Sequence, residues 1–372
     1  MILGEEAARA GRFVGRVWRE DAGGPAIVKL ANGRLIDITS RAAPTMAALL
    51  ERDDLIAHVD AATGDDLGAA EDFSTLLAPC DLQAVKACGV TFARSMLERV
   101  IEEKAAGDAS RAEAIRGRIG ALIGDSLRNV VPGSPQAAEV KRALIEEGVW
   151  SQYLEVGIGP DAEVFTKGQP MSSVGYGADV GLHPVSSWNN PEPEIVLAVD
   201  SRGQVKGAAL GNDVNLRDVE GRSALLLGKA KDNNASCAIG PFIRLFDDSY
   251  TLDDMRAAEL ELRVEGEDGF VLDGASSMKE ISRDPLDLVS QTIGRHHQYP
   301  DGFLLFLGTL FAPVKDRDAP GQGFTHKTGD VVTISTPELG ALKNTVRLST
   351  ECPPWTFGTG ALMRNLAARG LR

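Results

Sequence analysis

The sequence predicts an α+β chain. A small N-terminal α+β domain over residues 1–78 precedes a larger β-rich domain over 79–372, a rolled β-sandwich or barrel-like sheet with peripheral helices. Three observations predict this. Short apolar runs separated by Gly-rich turns open the chain. Helical periodicity dominates 92–149. From Val164 onward, short apolar runs again alternate with Gly, Asn, Asp and Pro, without a βαβ rhythm or a repeat of fixed period.

In the first domain, RFVGRVW, AIVKLA and RLIDIT read as strands joined by turns at Ala22-Gly23-Gly24-Pro25 and Asn32-Gly33. A helix is predicted over 45–60, and the polar stretch 61–77 reads as a linker. In the helical region, Phe92, Met96 and Val100 recur at i, i+4 and i+8, with Leu97 and Ile101 widening the stripe. Glu98 and Glu102 lie on the opposite face, beside Ser95. A second helix is predicted over 109–123. A third is predicted over 137–147, after the break at Pro132-Gly133-Ser134-Pro135, with Ser134 as its cap.

Composition excludes several classes of function. Among 372 residues, 43% are apolar and 25% charged, which is ordinary for a globular protein. Asp and Glu number 53 against 39 Lys and Arg, a net charge of −14. So acidic a chain lacks the basic footprint that nucleic acid or anionic membrane requires. No apolar run approaches the ~18 residues of a membrane span. The opening residues carry acids early and no apolar signal core, so a cytoplasmic location is expected. Cys80, Cys88, Cys237 and Cys352 are widely spaced and read as reduced structural thiols. Five histidines offer little for a zinc site.

The chemistry concentrates in two places. Glu192 and Glu194 flank Pro193 at the start of an apolar strand, and alternation puts both carboxylates on one face. Two acids so placed repel unless a cation lies between them. Downstream, Asp213 ends a strand of small residues. A third carboxylate there completes an all-oxygen set suited to Mg²⁺, with Mn²⁺ as the alternative. Taken alone, the E-x-E pair is more often a solvated strand edge and the Asn212-Asp213 pair more often a turn. Gly175-x-Gly177-x-x-x-Gly181 is not a dinucleotide fingerprint. Gly221 to Gly228-Lys229 is not a phosphate loop, and no G-x-S-x-G elbow occurs.

The order of motifs resembles the fumarylacetoacetate hydrolase superfamily over roughly residues 80–372. The motifs are Phe165-Thr166-Lys167, Glu192-Pro193-Glu194, Gly211-Asn212-Asp213 with Arg217-Asp218, and Lys229-x-x-Asp232 followed by Gly240-Pro241. Gly308-Thr309, Thr328-Gly329-Asp330-Val331 and Gly340-x-Leu342-x-Asn344-Thr345-Val346 complete the series. The strings WSQYLEVGIGPDAEVFTK and GRSALLLGKAKDNNASC are similar to its sugar-acid branch, the 2-keto-3-deoxy-D-pentonate dehydratases.

The resemblance implies a fumarylacetoacetate-hydrolase-like catalytic domain with a helical lid over 92–149. It implies metal carboxylates at Glu192, Glu194 and Asp213, pocket residues at Arg217 and Lys229, and a Gly-Thr turn at Thr309 that closes on the substrate carboxylate. The family's lid carries a His–Glu pair associated with activating water. Here Ser95 stands in place of the histidine and Glu98 keeps the acid. Without the imidazole, the natural base for water is lost, which favours a reaction that expels water.

The implied activity is Mg²⁺-dependent dehydration of a 2-keto-3-deoxy sugar acid to 2,5-dioxopentanoate through an enolate at C2. Glu98, Glu155 and Lys167 are the candidates for its base and acid, without an assignment among them. The alternatives are an acylpyruvate or diketo sugar-acid hydrolase on the same site, and a sugar-acid sensor without turnover. The partner expected is a small-molecule 2-keto sugar acid, with no nucleic acid or membrane, in a homodimer or higher homo-oligomer. The apolar run GFLLFLGTLFAPV reads either as part of that interface or as buried core strand.

Overall fold

The computed structural model describes residues 2–371 apart from 107, 109, 110, 113, 114, 116–129, 147, 149, 310, 312, 314 and 321. The helix expected over 109–123 lies almost wholly outside the described residues.

Two sheets organise the described residues. The larger has ten strands, in the order Asp66–Ala69, Arg34–Asp37, Gly24–Ala31, Phe13–Arg19, Cys237–Leu245, Val205–Asp213, Pro193–Val199, Phe303–Phe306, Ala84–Gly89 and Glu163–Gly168. The smaller runs Val271–Ser277, Glu259–Glu265, Val331–Thr336, Gly340–Leu348 and Asp179–Leu182. The architecture is therefore the sheet-rich α+β arrangement the sequence predicts. The N-terminal strands continue the large sheet, with Phe13 opposite Arg244 and Val14 opposite Ile243.

Strand alternation explains how one sheet serves two cores. In Pro193–Val199, Ile195, Leu197 and Val199 pack toward the small sheet, beside Leu260, Ile334 and Leu342. Val196 and Ala198 face the other way and pack on Met46, Leu49 and Leu50. The predicted 45–60 helix is in fact two, Met46–Leu50 and Leu55–Ala61. Thr45 caps the first by accepting from the Ala48 amide at 3.0 Å. The stretch expected as a linker contributes the edge strand Asp66–Ala69. Phe303–Phe306 is fully buried between its neighbours, so this part of the apolar run is core.

The helices that follow Gly89 have a core of their own. Met96, Val100, Ile101 and Ala105 of the helix Ala93–Ala105 meet Tyr153, Leu154 and Ile158 of the helix Gln152–Ile158. Ala137 and Leu144 of the helix Pro135–Glu146 join them, and Ser134 accepts from the Ala137 amide at 3.1 Å as the predicted cap. All four cysteines are buried and free. Among the described residues, no helix is long and apolar enough to cross a membrane.

Candidate active site

Glu192, Glu194 and Asp213 meet where two central strands end. Pro193 pairs with Asn212, and Glu194 with Gly211, so the E-x-E pair and Asp213 are neighbours across the ladder. Asn212 Oδ1 accepts from the Glu192 amide at 3.1 Å, and the Asp213 amide donates to the Glu192 carbonyl at 3.1 Å. One oxygen from each carboxylate lies within 4.8 Å of the others, and all three residues are buried. The Gly308 amide donates to Glu194 Oε2 at 2.7 Å. Gly308 holds φ +91°, and a Cβ there would sit 2.1 Å from Thr91 Oγ1, so the turn that aims this amide demands glycine.

Three cations neutralise the acids. Lys231 Nζ lies 2.7 Å from Glu192 Oε2 and 3.0 Å from Asp213 Oδ2. Lys167 Nζ lies 2.8 Å from Asp213 Oδ1 and donates to the Lys231 carbonyl at 2.6 Å. Arg99, from the helix Ala93–Ala105, pairs with Glu192, with Glu102 at 2.8 Å and with Glu220 at 2.9 Å. Glu163 lines the same cavity.

Burial and like charges tune these groups. Burial, with Asp213 and Glu192 beside it, pushes the Glu194 carboxyl well up. Burial raises Asp213 too, but Lys167 and Lys231 outweigh it and hold that carboxyl low. Burial works against the Lys231 ammonium, yet Asp213, Glu192 and Glu220 keep its pKa raised. Burial and then Glu220 push Glu163 up to about 7.

Five carboxylates (Glu163, Glu192, Glu194, Asp213 and Glu220) thus face three cations. With all five ionised, two positive charges are lacking, which a divalent ion would supply and which protonation at the raised Glu194 and Glu163 otherwise reduces. The all-oxygen donor set is that of Mg²⁺, and one oxygen of each of Glu192, Glu194 and Asp213 lies close enough to the others to share one ion. The residues present fit such an ion.

The remaining expected site residues divide. Thr309 lines this cavity and a second one beside it. Lys167 is fully buried beneath Asp213. Glu98 is buried across the second cavity, next to Arg217. Arg217 is held by the helix Ala93–Ala105 and by Pro313 together. Its Nε donates to Glu102 Oε1 at 2.6 Å, Nη2 lies 3.5 Å from Glu98 and Nη1 donates to the Pro313 carbonyl at 3.4 Å. Its guanidinium stacks 4.4 Å from the Trp188 ring centre. It ties the helix Ala93–Ala105 to the Pro313 carbonyl and lines the second cavity, not the one that holds the three carboxylates.

Two expected residues stand apart from the cluster. Lys229 is exposed. It shares the helix Leu227–Lys231 with Lys231, and residues two apart lie on nearly opposite sides of a helix, so only Lys231 reaches the acids. Glu155 is half-buried and pairs with Lys141, away from the cluster. Ser95 lies within the helix Ala93–Ala105, and its side chain is outside the described residues.

Sequence reasoning missed Glu163, Lys231, Arg99, Glu102 and Glu220. Some signals were present. Alternation places Glu163, Phe165 and Lys167 on one strand face, and Arg99 with Glu102, like Arg217 with Glu220, are helical i, i+3 neighbours.

Comparison with known proteins agrees with this geometry. The family signature described as Fumarylacetoacetate (FAA) hydrolase C-terminal matches residues 160–347, half of the chain. The chain belongs to the fumarylacetoacetate hydrolase family.

Within that family it is similar to a probable 2-keto-3-deoxyxylonate dehydratase from Haloferax volcanii, 31% identical over 201 residues, covering 54% of this chain and 65% of the relative. It is also similar to a 2-dehydro-3-deoxy-D-arabinonate dehydratase from Saccharolobus solfataricus, 29% identical over 188 residues, covering 50% of this chain and 58% of the relative. The chain therefore spans less than two thirds of each. Among solved structures, an apo 2-keto-3-deoxy-D-arabinonate dehydratase matches with TM-score 0.64 at 21% identity, covering 90% of this chain and 99% of that one. A structure of that enzyme complexed with magnesium and 2,5-dioxopentanoate matches with TM-score 0.62 at 21% identity and the same coverage. These likenesses bear on the fold of this family member.

Proposed function

We propose that the protein is a hydro-lyase that uses Mg²⁺ to dehydrate 2-keto-3-deoxy-pentonate to 2,5-dioxopentanoate. The observation that carries this reading is the buried cluster of Glu192, Glu194 and Asp213, short of two positive charges when ionised and bordered by Glu163 and Lys231. The names of the two relatives, and the ligands of the solved neighbour, point the same way.

Held by the three carboxylates, a magnesium ion would act as a Lewis acid and stabilise the negative charge that develops at C2 as the C3 proton leaves. The protein's own groups do the rest. Gly308 N–H fixes the Glu194 carboxylate, and Lys167 fixes Asp213 from beneath. The Lys231 ammonium adds positive charge at the edge of the cluster, where the keto acid's carboxylate is received. Glu163, poised near neutrality, takes the C3 proton when ionised and returns it to the departing C4 hydroxyl, so water leaves and the carboxylate is regenerated; tautomerisation of the resulting C3=C4 alkene then moves two hydrogens from the C5 alcohol to C3 and C4 and leaves C5 as the aldehyde. The lid helix, sealed by Met96 and Val100 and fastened through Arg217, keeps bulk water from the site. Ser95, where the family's lid carries histidine, favours this over hydrolysis.

The test is to incubate purified protein with Mg²⁺ and 2-keto-3-deoxy-D-pentonate and take the product's mass spectrum. Loss of one water with appearance of an aldehyde is expected, and unchanged substrate refutes the reading. Homodimer formation is tested separately by light scattering on the same sample.

A further inference from the structure

Beside the carboxylate cluster lies a second space of about 20 Å³, room for about one water-sized group. Arg99, Glu192 and Thr309 form the wall it shares with the cluster cavity. Asn215 decides its chemistry. The Asn215 and Asn190 backbones are joined by two reciprocal hydrogen bonds of 3.1 Å, and the Asn215 side chain is 1% exposed. Asn190 commits its Nδ2 to the Pro191 carbonyl at 2.8 Å, which leaves its Oδ1 facing Asn215 Nδ2 at 3.5 Å. That settles the orientation of the Asn215 amide. Its Oδ1 is left as a buried acceptor with no donor among the described residues, a costly state that a ligand donor relieves.

The walls select which donor. Glu98 and Glu102 repel an anion, while Arg99 and Arg217 repel a cation. Glu102 is already matched to both arginines, at 2.6 Å and 2.8 Å. A neutral O–H group satisfies Asn215 without disturbing that balance. We infer that this space is the subsite for the hydroxyl at the far end of the substrate chain, received by Asn215 Oδ1. The keto-acid end then lies toward Lys231 and the three carboxylates. The inference rests on the keto-acid reading above and adds the direction of the bound chain and the residue that selects a hydroxylated tail.

Two ligands with nothing to eliminate test it by calorimetry in Mg²⁺: 5-hydroxy-2-oxopentanoate and 2-oxopentanoate, which differ only in the terminal hydroxyl. The wild type binds the hydroxylated compound roughly tenfold tighter, the worth of one buried hydrogen bond. In Asn215→Ala, or in Asn215→Ser should the alanine variant not fold, the ratio falls toward about one while 2-oxopentanoate binds as before. A wild-type ratio of about one overturns the subsite, and so does a ratio kept near tenfold in a variant of unchanged melting temperature. Binding of neither compound to the wild type overturns the keto-acid reading itself, and the subsite with it.

Discussion

Glu163→Gln should stabilise the metal-free protein at alkaline pH while disabling it. In the folded chain the Glu163 carboxyl titrates at about 7, against an ordinary 4.5, because the half-buried group is desolvated and lies close to Glu220. The folded state therefore keeps a proton that the unfolded state has lost, and stability falls as pH rises from the unfolded value through the folded one. Two and a half units correspond to a cost of about 3 kcal/mol at about pH 8, but only about 1 kcal/mol at about pH 5. Glutamine carries no charge to bury, so its own packing cost is the same at both. The stability gap between variant and wild type should shift in the variant's favour by about 2.5 kcal/mol between about pH 5 and pH 8. With an m-value of about 3 kcal/mol/M, that is a shift of roughly 0.8 M in the urea midpoint. The assay is urea unfolding with chelator present, since a dication would favour the ionised carboxyl and shrink the gap. Turnover should fall by about 10²–10⁴ in the same variant. A gap that does not change with pH, or a variant of full activity, would refute the reasoning.

Other substitutions probe the remaining parts. Glu194→Ala should abolish magnesium-dependent turnover, as should excess chelator on the wild type, and full activity in either case removes the metal site from the mechanism. Lys229→Ala should change stability by less than about 0.5 kcal/mol and leave turnover intact, because the side chain is exposed. Lys231→Ala leaves Glu192 and Asp213 short of a buried partner and should cost about 3–5 kcal/mol in chemical denaturation. Gly89→Ala places a Cβ 2.0 Å from Glu163 Oε2; displacing that carboxyl by on the order of 1 Å should lower kcat about a hundredfold with metal affinity unchanged. Arg217→Lys loses the fork that joins Glu102 to the Trp188 face, and hydrogen exchange over 93–105 should quicken.

What the sequence revealed of this site follows the range of each signal. Glu192 and Glu194 were legible because alternation within one strand is a local rule, and Asp213 because it ends the next strand of the meander. Lys229 was chosen over Lys231 because a motif spacing was read without its helical phase, and five residues of helix decide which lysine turns inward. The ties that hold Arg217 left no local trace, because its partner Glu102 is 115 residues away. Glu163 stayed hidden because the space that admits its carboxyl is made by Gly89, on a strand it meets only through sheet pairing. The fold divides in the same way. The strands over 11–39 are visible in their composition, but the pairing of Phe13 with Arg244 that joins them to the large sheet has no local trace.

That the charged cluster stays buried at all depends on the strand beneath it. Desolvating five carboxylates and three cations is unfavourable unless every partner is held in register, and side chains on mobile loops would relax into water instead. Here Glu194 and Asp213 stand at the ends of two adjacent strands, Glu192 immediately before the first of them. Pro193–Val199 is buried along its whole length, anchored by Leu197 on one face and Val196 on the other. Two apolar cores therefore offset the cost of one polar site, and they do so through the same backbone that sets the carboxylate spacing. A carboxylate cluster fixed in this way cannot relieve its own repulsion by moving. What is left to it is protonation, toward which Glu194 and Glu163 are pushed, or a dication, which balances the charge with every carboxylate ionised and the sheet unmoved.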